Sequence, residues 1–336
     1  MNNHIAKFLF ASVIAVTSIP SQPVIAGDLE ISPLLLAARG GNPNKPNNGG
    51  GGGGGDDGSD PQSPVYYSWM HSGITDAWDL GYLGQDSTIT VVDDFSSRTK
   101  YFGNFGDGRN RYRHGEWTRK QASMIAPSAT MRSHEFTSGA EVQLGQGFNV
   151  INASYGWVER PSAFSGYDAQ EFSIIDYATS GAAFVSKSAG NDSIAVGGVI
   201  ADGIYAGYVD YLSTGLIGTS SAVFVGALEH NGSTLNKAAL ASYSNYAGSD
   251  PLVQQQFLVA GVESGTTGLA GTSFAAPIVA GYAAVLSNKF SSATATQVAD
   301  RLLSTARTDT ILGYNKAIHG MGEASIARAV APDSIN

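Results

Sequence analysis

The chain has 336 residues, enough for one large domain with a buried core or for two modest ones, and 43% of them are hydrophobic, which excludes disorder throughout. Charged residues make up 14% against roughly 25% in ordinary soluble domains, so Ser, Thr, Asn, Gln and Gly must carry the surface, a composition suited to a secreted protein. With 28 acidic and 19 basic residues the net charge is -9, which offers no footprint for nucleic acid or anionic lipid, and the lack of cysteine removes thiol nucleophiles, Cys-zinc sites, iron-sulfur clusters and disulfides.

The predicted elements begin with an export leader over residues 1–26. Lys7 supplies the positive charge, Phe8 to Ile19 form an apolar run too short to cross a bilayer, Pro20 breaks it, and Val24-Ile25-Ala26 offers a small-residue cleavage site. Residues 27–64 read as a linker, with seven consecutive glycines (Gly49 to Gly55) and Asp56, Asp57 and Asp60, a composition that cannot bury enough surface to offset its ordering entropy. Residues 65–336 then form the folded domain. Within it, strands are expected at Thr88–Val92, Thr130–His134, Phe148–Ser154, Ala182–Ser186 and Ala222–Leu228, where β-branched residues recur. Between them lie helical patterns such as Asp168 to Thr179, with Phe172, Ile175 and Thr179 on one face and Gly181 as the stop. Phe274 to Leu286 is apolar almost all round and must be a buried helix, with Pro277 tolerated in its first turn. Strands alternating with helices imply a three-layer α/β domain, a mostly parallel sheet covered on both faces, with its chemistry at the carboxyl ends of the strands.

Gly271-Thr272-Ser273-Phe274-Ala275-Ala276-Pro277-Ile278-Val279-Ala280-Gly281 places a hydroxyl at the start of that buried helix. By position alone Ser273 is either a helix N-cap or a nucleophile favoured by unpaired N–H groups and the helix dipole. The whole string resembles the nucleophile motif of the subtilisin-like serine proteases, a family that sets its catalytic residues in the chain order Asp, His, Ser. The resemblance continues upstream. Thr88-Ile89-Thr90-Val91-Val92-Asp93-Asp94 is similar to the family's Asp strand, which implies Asp93 as the acid; by itself the residue is also a cap for the next turn, and Asp94 could exchange roles with it. Asp94 matches the second carboxylate of the kexin and furin branch, where it faces substrate, while Phe95 stands where the family usually has Gly. His114-Gly115 resembles the His motif, with Glu116 and Trp117 in place of the usual Thr and His. Ser188-Ala189-Gly190-Asn191 is similar to the strand end that carries the oxyanion Asn, so Asn191 takes that role; by itself Gly-Asn is also a turn signal. Ser154-Tyr155-Gly156 resembles the strand that pairs with substrate, with Trp157 replacing a second Gly.

The resemblance covers most of Trp69 to Val330 and implies peptide-bond hydrolysis on polypeptide substrates through an acyl-enzyme, with Asp93, His114, Ser273 and Asn191 as the machinery and no cofactor in the chemistry. A structural calcium ion is compatible with an exported cysteine-free relative, although no ligand set is legible. Export implies a secreted, periplasmic or cell-surface location, no transmembrane segment once the leader is removed, and no nucleic-acid partner; the oligomeric state is open. A second reading is a catalytically decayed scaffold serving as a secreted binding module. It is favoured by Phe95, Glu116 and Trp117, and by residues 27–64 being too short for a folded inhibitory propeptide. A nucleotide-binding reading finds only Gly103-Asn104-Phe105-Gly106-Asp107-Gly108, which lacks a phosphate-loop lysine.

Overall fold

The computed structural model describes residues 6–9 and 64–335. In chain order the elements are β1 (Ala6–Leu9), α1 (Ile74–Asp79), β2 (Ser87–Asp93), β3 (Tyr101–Gly103), β4 (Asn110–Tyr112), α2 (His114–Ile125), β5 (Thr130–Glu135), β6 (Phe148–Ala153), β7 (Tyr155–Glu159), α3 (Ala169–Ser180), β8 (Phe184–Ser188), β9 (Val209–Asp210), α4 (Tyr211–Leu216), β10 (Ala222–Leu228), α5 (Pro251–Gln255), β11 (Phe257–Gly261), α6 (Ser264–Thr267), α7 (Ala276–Lys289), α8 (Ala295–Ser304), α9 (Lys316–His319) and α10 (Ile326–Val330). Six strands form one parallel sheet in the order β11-β10-β8-β6-β2-β5. Every residue of β2, β8, β10 and β11 is buried, as befits a parallel sheet covered on both faces.

Successive side chains leave a strand on opposite faces, and this divides the interior in two. One core joins Ile89, Val91, Val150, Phe184, Val223 and Val225 to Trp117 of α2 and to α7. The other joins Val92, Ile151, Val185 and Phe224 to Ile174 of α3 and Leu212 of α4. Helix α7 is buried from Ala276 to Ser287, so its near-continuous apolar sequence is a consequence of having no solvent face. It also lies tight on α2: a Cβ on Gly281 would come within 2.4 Å of Ile125 Cγ2.

The three-layer parallel α/β architecture expected from the sequence is the one observed, with β10 at its expected bounds and β2, β5 and β6 within a residue of theirs. Strand β8 starts two residues later than expected, because Ala182 and Ala183 still donate to Tyr177 O in the turn that closes α3 around Gly181. The amphipathic face of α3 also differs. Phe172 is 63% exposed and Thr179 faces solvent, whereas Gln170, Glu171, Ser173, Ile174 and Ala178 are buried. The inner face mixes the polar side chains of Gln170, Glu171 and Ser173 with Ile174 and Ala178, and Ile175 is half-buried against the second core.

The remainder of the leader expected over residues 1–26 and nearly all of the linker expected over residues 27–64 lie outside the described residues. Strand β1 pairs antiparallel with β7, with Phe8 opposite Gly156 and Leu9 opposite Tyr155. Among the described residues no helix is long and apolar enough to cross a membrane.

Candidate active site

The carboxyl end of β2, the start of α2 and the turn leading into α7 converge at one end of the sheet. Asp93 is the last residue of β2 and His114 the first of α2, and both are fully buried. His114 Nδ1 lies 2.6 Å from Asp93 Oδ1. The carboxylate is further held by the Thr118 hydroxyl, which donates to Oδ2 at 2.7 Å, and by the Asp94 N–H, which donates to Oδ1 at 2.6 Å. Thr118 stands one helical turn beyond His114, so α2 presents both groups to Asp93 from one face. Gly115 lets the two segments approach: its N–H donates to Asp94 O at 2.9 Å, and a Cβ there would meet that same oxygen at 2.8 Å.

With Nδ1 committed to the carboxylate, the other ring nitrogen carries the consequence. His114 Nε2 is buried and has no hydrogen-bond partner among the described residues. Leaving a buried polar atom unmet costs about 1–3 kcal/mol, a cost that a substrate or nucleophile proton would relieve. The His114 ring packs against the Phe274 ring at 5.5 Å between centroids, which sets the Ser273 turn beside it.

Ser273 lies in a short 3-10 turn, Thr272–Phe274, ahead of α7. Its hydroxyl donates to Ser154 O at 3.2 Å, and in return the Ser154 hydroxyl donates to Ser273 O at 3.2 Å. The Asp93–His114 bond is thus made, while the Ser273 proton is taken by a carbonyl and not by His114. Catalytic hydrogen bonds are commonly loose without substrate. Gly271, immediately before the turn, has φ 129° and ψ 152°, a region closed to residues with a Cβ, and its N–H donates to the Tyr243 hydroxyl at 3.0 Å.

Asn191 follows the end of β8. Its Oδ1 accepts the Thr272 N–H at 2.9 Å and the Thr272 hydroxyl at 3.0 Å, and that hydroxyl accepts the Gly190 N–H at 3.1 Å. These bonds fix the amide beside Ser273. Of the residues expected to meet substrate, Ser154 is engaged with Ser273, and its own hydroxyl accepts from Asn152 Nδ2. Tyr155 turns its side chain into the second core, where its hydroxyl donates to Glu171 Oε1 at 2.8 Å and burial pushes the phenol well up. Tyr155 and Gly156 therefore offer backbone only. Asp94 is buried too, and accepts from the Ser96 N–H, the Ser97 N–H and the Ser97 hydroxyl, so its carboxylate serves its own loop.

The departures from the family pattern have structural occupations. Glu116 accepts the Arg113 N–H at 2.7 Å and pairs with its guanidinium, stabilising the first turn of α2. Trp117 is fully buried against Phe105 and Tyr112, and its indole donates to Tyr101 O at 2.9 Å. Phe95 is half-buried against Gly115 and takes Glu135 Oε2 as acceptor for its N–H. Trp157 packs inward on Phe164 and Tyr167.

Sequence reading missed Thr118, Thr272 and a buried ion pair anchored on β8. Lys187 of β8 is fully buried, with Nζ 3.1 Å from Asp210 Oδ2 and donating to Ser188 O. Burial pulls the lysine pKa down and the Asp210 carboxylate pushes it back up. Asp210 Oδ1 in turn accepts the Trp157 N–H of β7. A hydroxyl or a lone lysine inside a strand leaves no spacing signal by which these could have been found. The remaining histidines among the described residues are held elsewhere: His134 by Ser138 and Gln170, His230 by Asn231 O, His71 by the Gly73 N–H and His319 by the Asn315 N–H. Among the described residues no group of three or more His, Cys, Asp or Glu is placed to hold a metal ion.

A parallel α/β sheet with a buried Asp–His pair and a serine turn at its carboxyl end defines a class of hydrolase-like site. Residues 115–323 match the family model described as the subtilase family, and the chain belongs to that family of serine proteases. Among solved structures it is similar to an S41 psychrophilic protease, 18% identical over 72% of this chain and 92% of that one with a TM-score of 0.48. It is likewise similar to a lanthipeptide protease, 20% identical over 79% and 93% with a TM-score of 0.46. A third is a protease from Pseudoalteromonas arctica, 19% identical over 80% and 96% with a TM-score of 0.47. No curated protein sequence matches the chain.

Proposed function

We propose that the protein is an exported serine endopeptidase that hydrolyses peptide bonds through Asp93, His114 and Ser273. The observation that carries this reading is the 2.6 Å Asp93–His114 contact, which leaves Nε2 unpartnered beside the Ser273 turn. Asp93 holds the imidazole in the tautomer with its proton on Nδ1. Nε2 then accepts the Ser273 proton as Oγ attacks the scissile carbonyl, which requires the hydroxyl to rotate away from Ser154 O. The Asn191 amide and the Ser273 N–H receive the oxyanion, Nε2 returns the proton to the leaving amine, and water repeats the cycle on the acyl-enzyme. The edge of β7 supports the substrate pose, since the backbone of Tyr155 and Gly156 already pairs with an extended antiparallel segment, β1. The chemistry needs no cofactor.

Ser273→Ala is expected to abolish both casein hydrolysis and covalent labelling by a fluorophosphonate, with a loss of about 10⁶ in kcat, the size known for removal of the nucleophile in subtilisin. Labelling that persists in the variant would show that another hydroxyl is the nucleophile.

A further inference from the structure

The charge of this molecule is unevenly placed. Residues 98–120 hold seven of the 19 Lys and Arg residues and only two acidic ones, Asp107 and Glu116, in a chain whose net charge is -9. Both acids are spent within the stretch, Asp107 on Lys120 at 2.5 Å and Glu116 on Arg113 at 3.0 Å. Arg98, Lys100, Arg109 and Arg111 are exposed. They surround the β3–β4 hairpin, in which Phe102 pairs with Arg111 across the ladder. Phe102 is 56% exposed, and the guanidinium carbons of Arg109 and Arg111 stand 5.2 and 5.1 Å from its ring centroid. Planar guanidinium groups packed on an exposed aromatic ring are forked donors suited to carboxylates.

The hairpin touches the candidate site from two directions. The Tyr101 ring lies 6.1 Å from His114, and the Trp117 indole of α2 donates to Tyr101 O. On the other side Asn104 N donates to Thr267 O, and Gly103 packs on Leu269, four residues before Ser273. The positive hairpin thus stands next to both His114 and the segment that leads into Ser273.

Resting on the proteolytic reading, we propose that the exposed face of the β3–β4 hairpin, Arg109 and Arg111 over Phe102 with Arg98 and Lys100 at its base, docks an acidic segment of the polypeptide substrate. The molecule's net negative charge repels extended polyanions such as nucleic acid, whereas a short Asp- or Glu-rich segment meets only the local positive field, within a Debye length of about 10 Å at 0.1 M salt.

The test measures binding to the full-length Ser273→Ala chain by fluorescence anisotropy, using a labelled peptide with a run of Glu on either flank of a common centre and its matched Gln counterpart. The Glu peptide is expected to bind about tenfold more tightly at low ionic strength, and the preference should fade as salt is added. Arg109→Gln with Arg111→Gln should bring the two peptides to parity, while Arg109→Lys with Arg111→Lys, which keeps the charge but loses the forked donor, should keep only part of the preference. Equal binding of both peptides to the unaltered hairpin would overturn the proposal. So would an undiminished preference in the Gln variant, or equal capture of an oligonucleotide or a phosphatidylserine vesicle. Because binding is read on a chain that cannot cleave, it stands apart from the labelling experiment, whose failure would remove the proteolytic reading instead.

Discussion

Three donors converge on the Asp93 carboxylate, and each does separate work. The His114 ring bonds to Oδ1 and so orients the proposed base, the Asp94 N–H holds the same oxygen to its own strand end, and the Thr118 hydroxyl occupies the second oxygen. Removing the last should loosen the carboxylate without touching the nucleophile. Thr118→Val therefore is expected to lower kcat roughly fivefold, the equivalent of one hydrogen bond of about 1 kcal/mol, with KM unchanged and Thr118→Ser close to the parent. Steady-state kinetics on a chromogenic peptide read this directly; an unaltered kcat in the valine variant would show that the third bond is decorative. Asp93→Asn, which favours the wrong tautomer, should cost far more, on the order of 10⁴ in kcat, as the same change does in the trypsin-type triad.

Elements were legible in the sequence where one physical demand dominated. The buried strand β10 and the buried helix α7 are apolar on every side, so composition alone located them, and Asp93 and His114 lie at their expected strand and helix ends, whereas Ser273 sits in a 3-10 turn three residues ahead of α7 and Asn191 three residues beyond β8. Short elements were not legible. Strand β9 is two residues long and the β3–β4 hairpin three residues a side, lengths at which alternation carries no information. The inner face of α3 was lost because Gln170 and Glu171 satisfy each other and Tyr155 inside the protein, which no hydropathy pattern records. Lys187 belongs to the same kind: its amine joins β8 to Asp210, and Asp210 joins β9 and α4 to β7 through the Trp157 and Ser213 N–H groups. Lys187→Met leaves that carboxylate without its cation in a nearly dry setting and should destabilise the fold by about 3 kcal/mol. Urea unfolding would measure it. A loss below half of that would show that the remaining donors to Asp210 suffice.

At the scale of the whole molecule, the last strand of the sheet depends on a segment from far along the chain. Val259 of β11 and Arg307 bridge the backbone of Glu323, and the Glu323 side chain accepts the Gly232 N–H at 2.8 Å, so one residue ties the sheet edge to two distant turns. Glu323 is only 1% exposed. Burial raises its pKa above the ordinary 4.5, and the Thr310 hydroxyl, the Gly232 N–H and the charges of Arg307 and His230 pull it partly back. A carboxyl whose folded pKa exceeds its unfolded one binds its proton more tightly in the native state. Its contribution to stability is thus complete below the unfolded value and is lost as pH rises through the folded value. Glu323→Gln keeps an acceptor for Gly232 while removing the ionisation. The variant should therefore match the parent in acid and exceed it in urea midpoint at neutral pH, because the parent alone must ionise a buried group there. A difference of equal size at both pH values would mean that shape, and not charge, governs this junction.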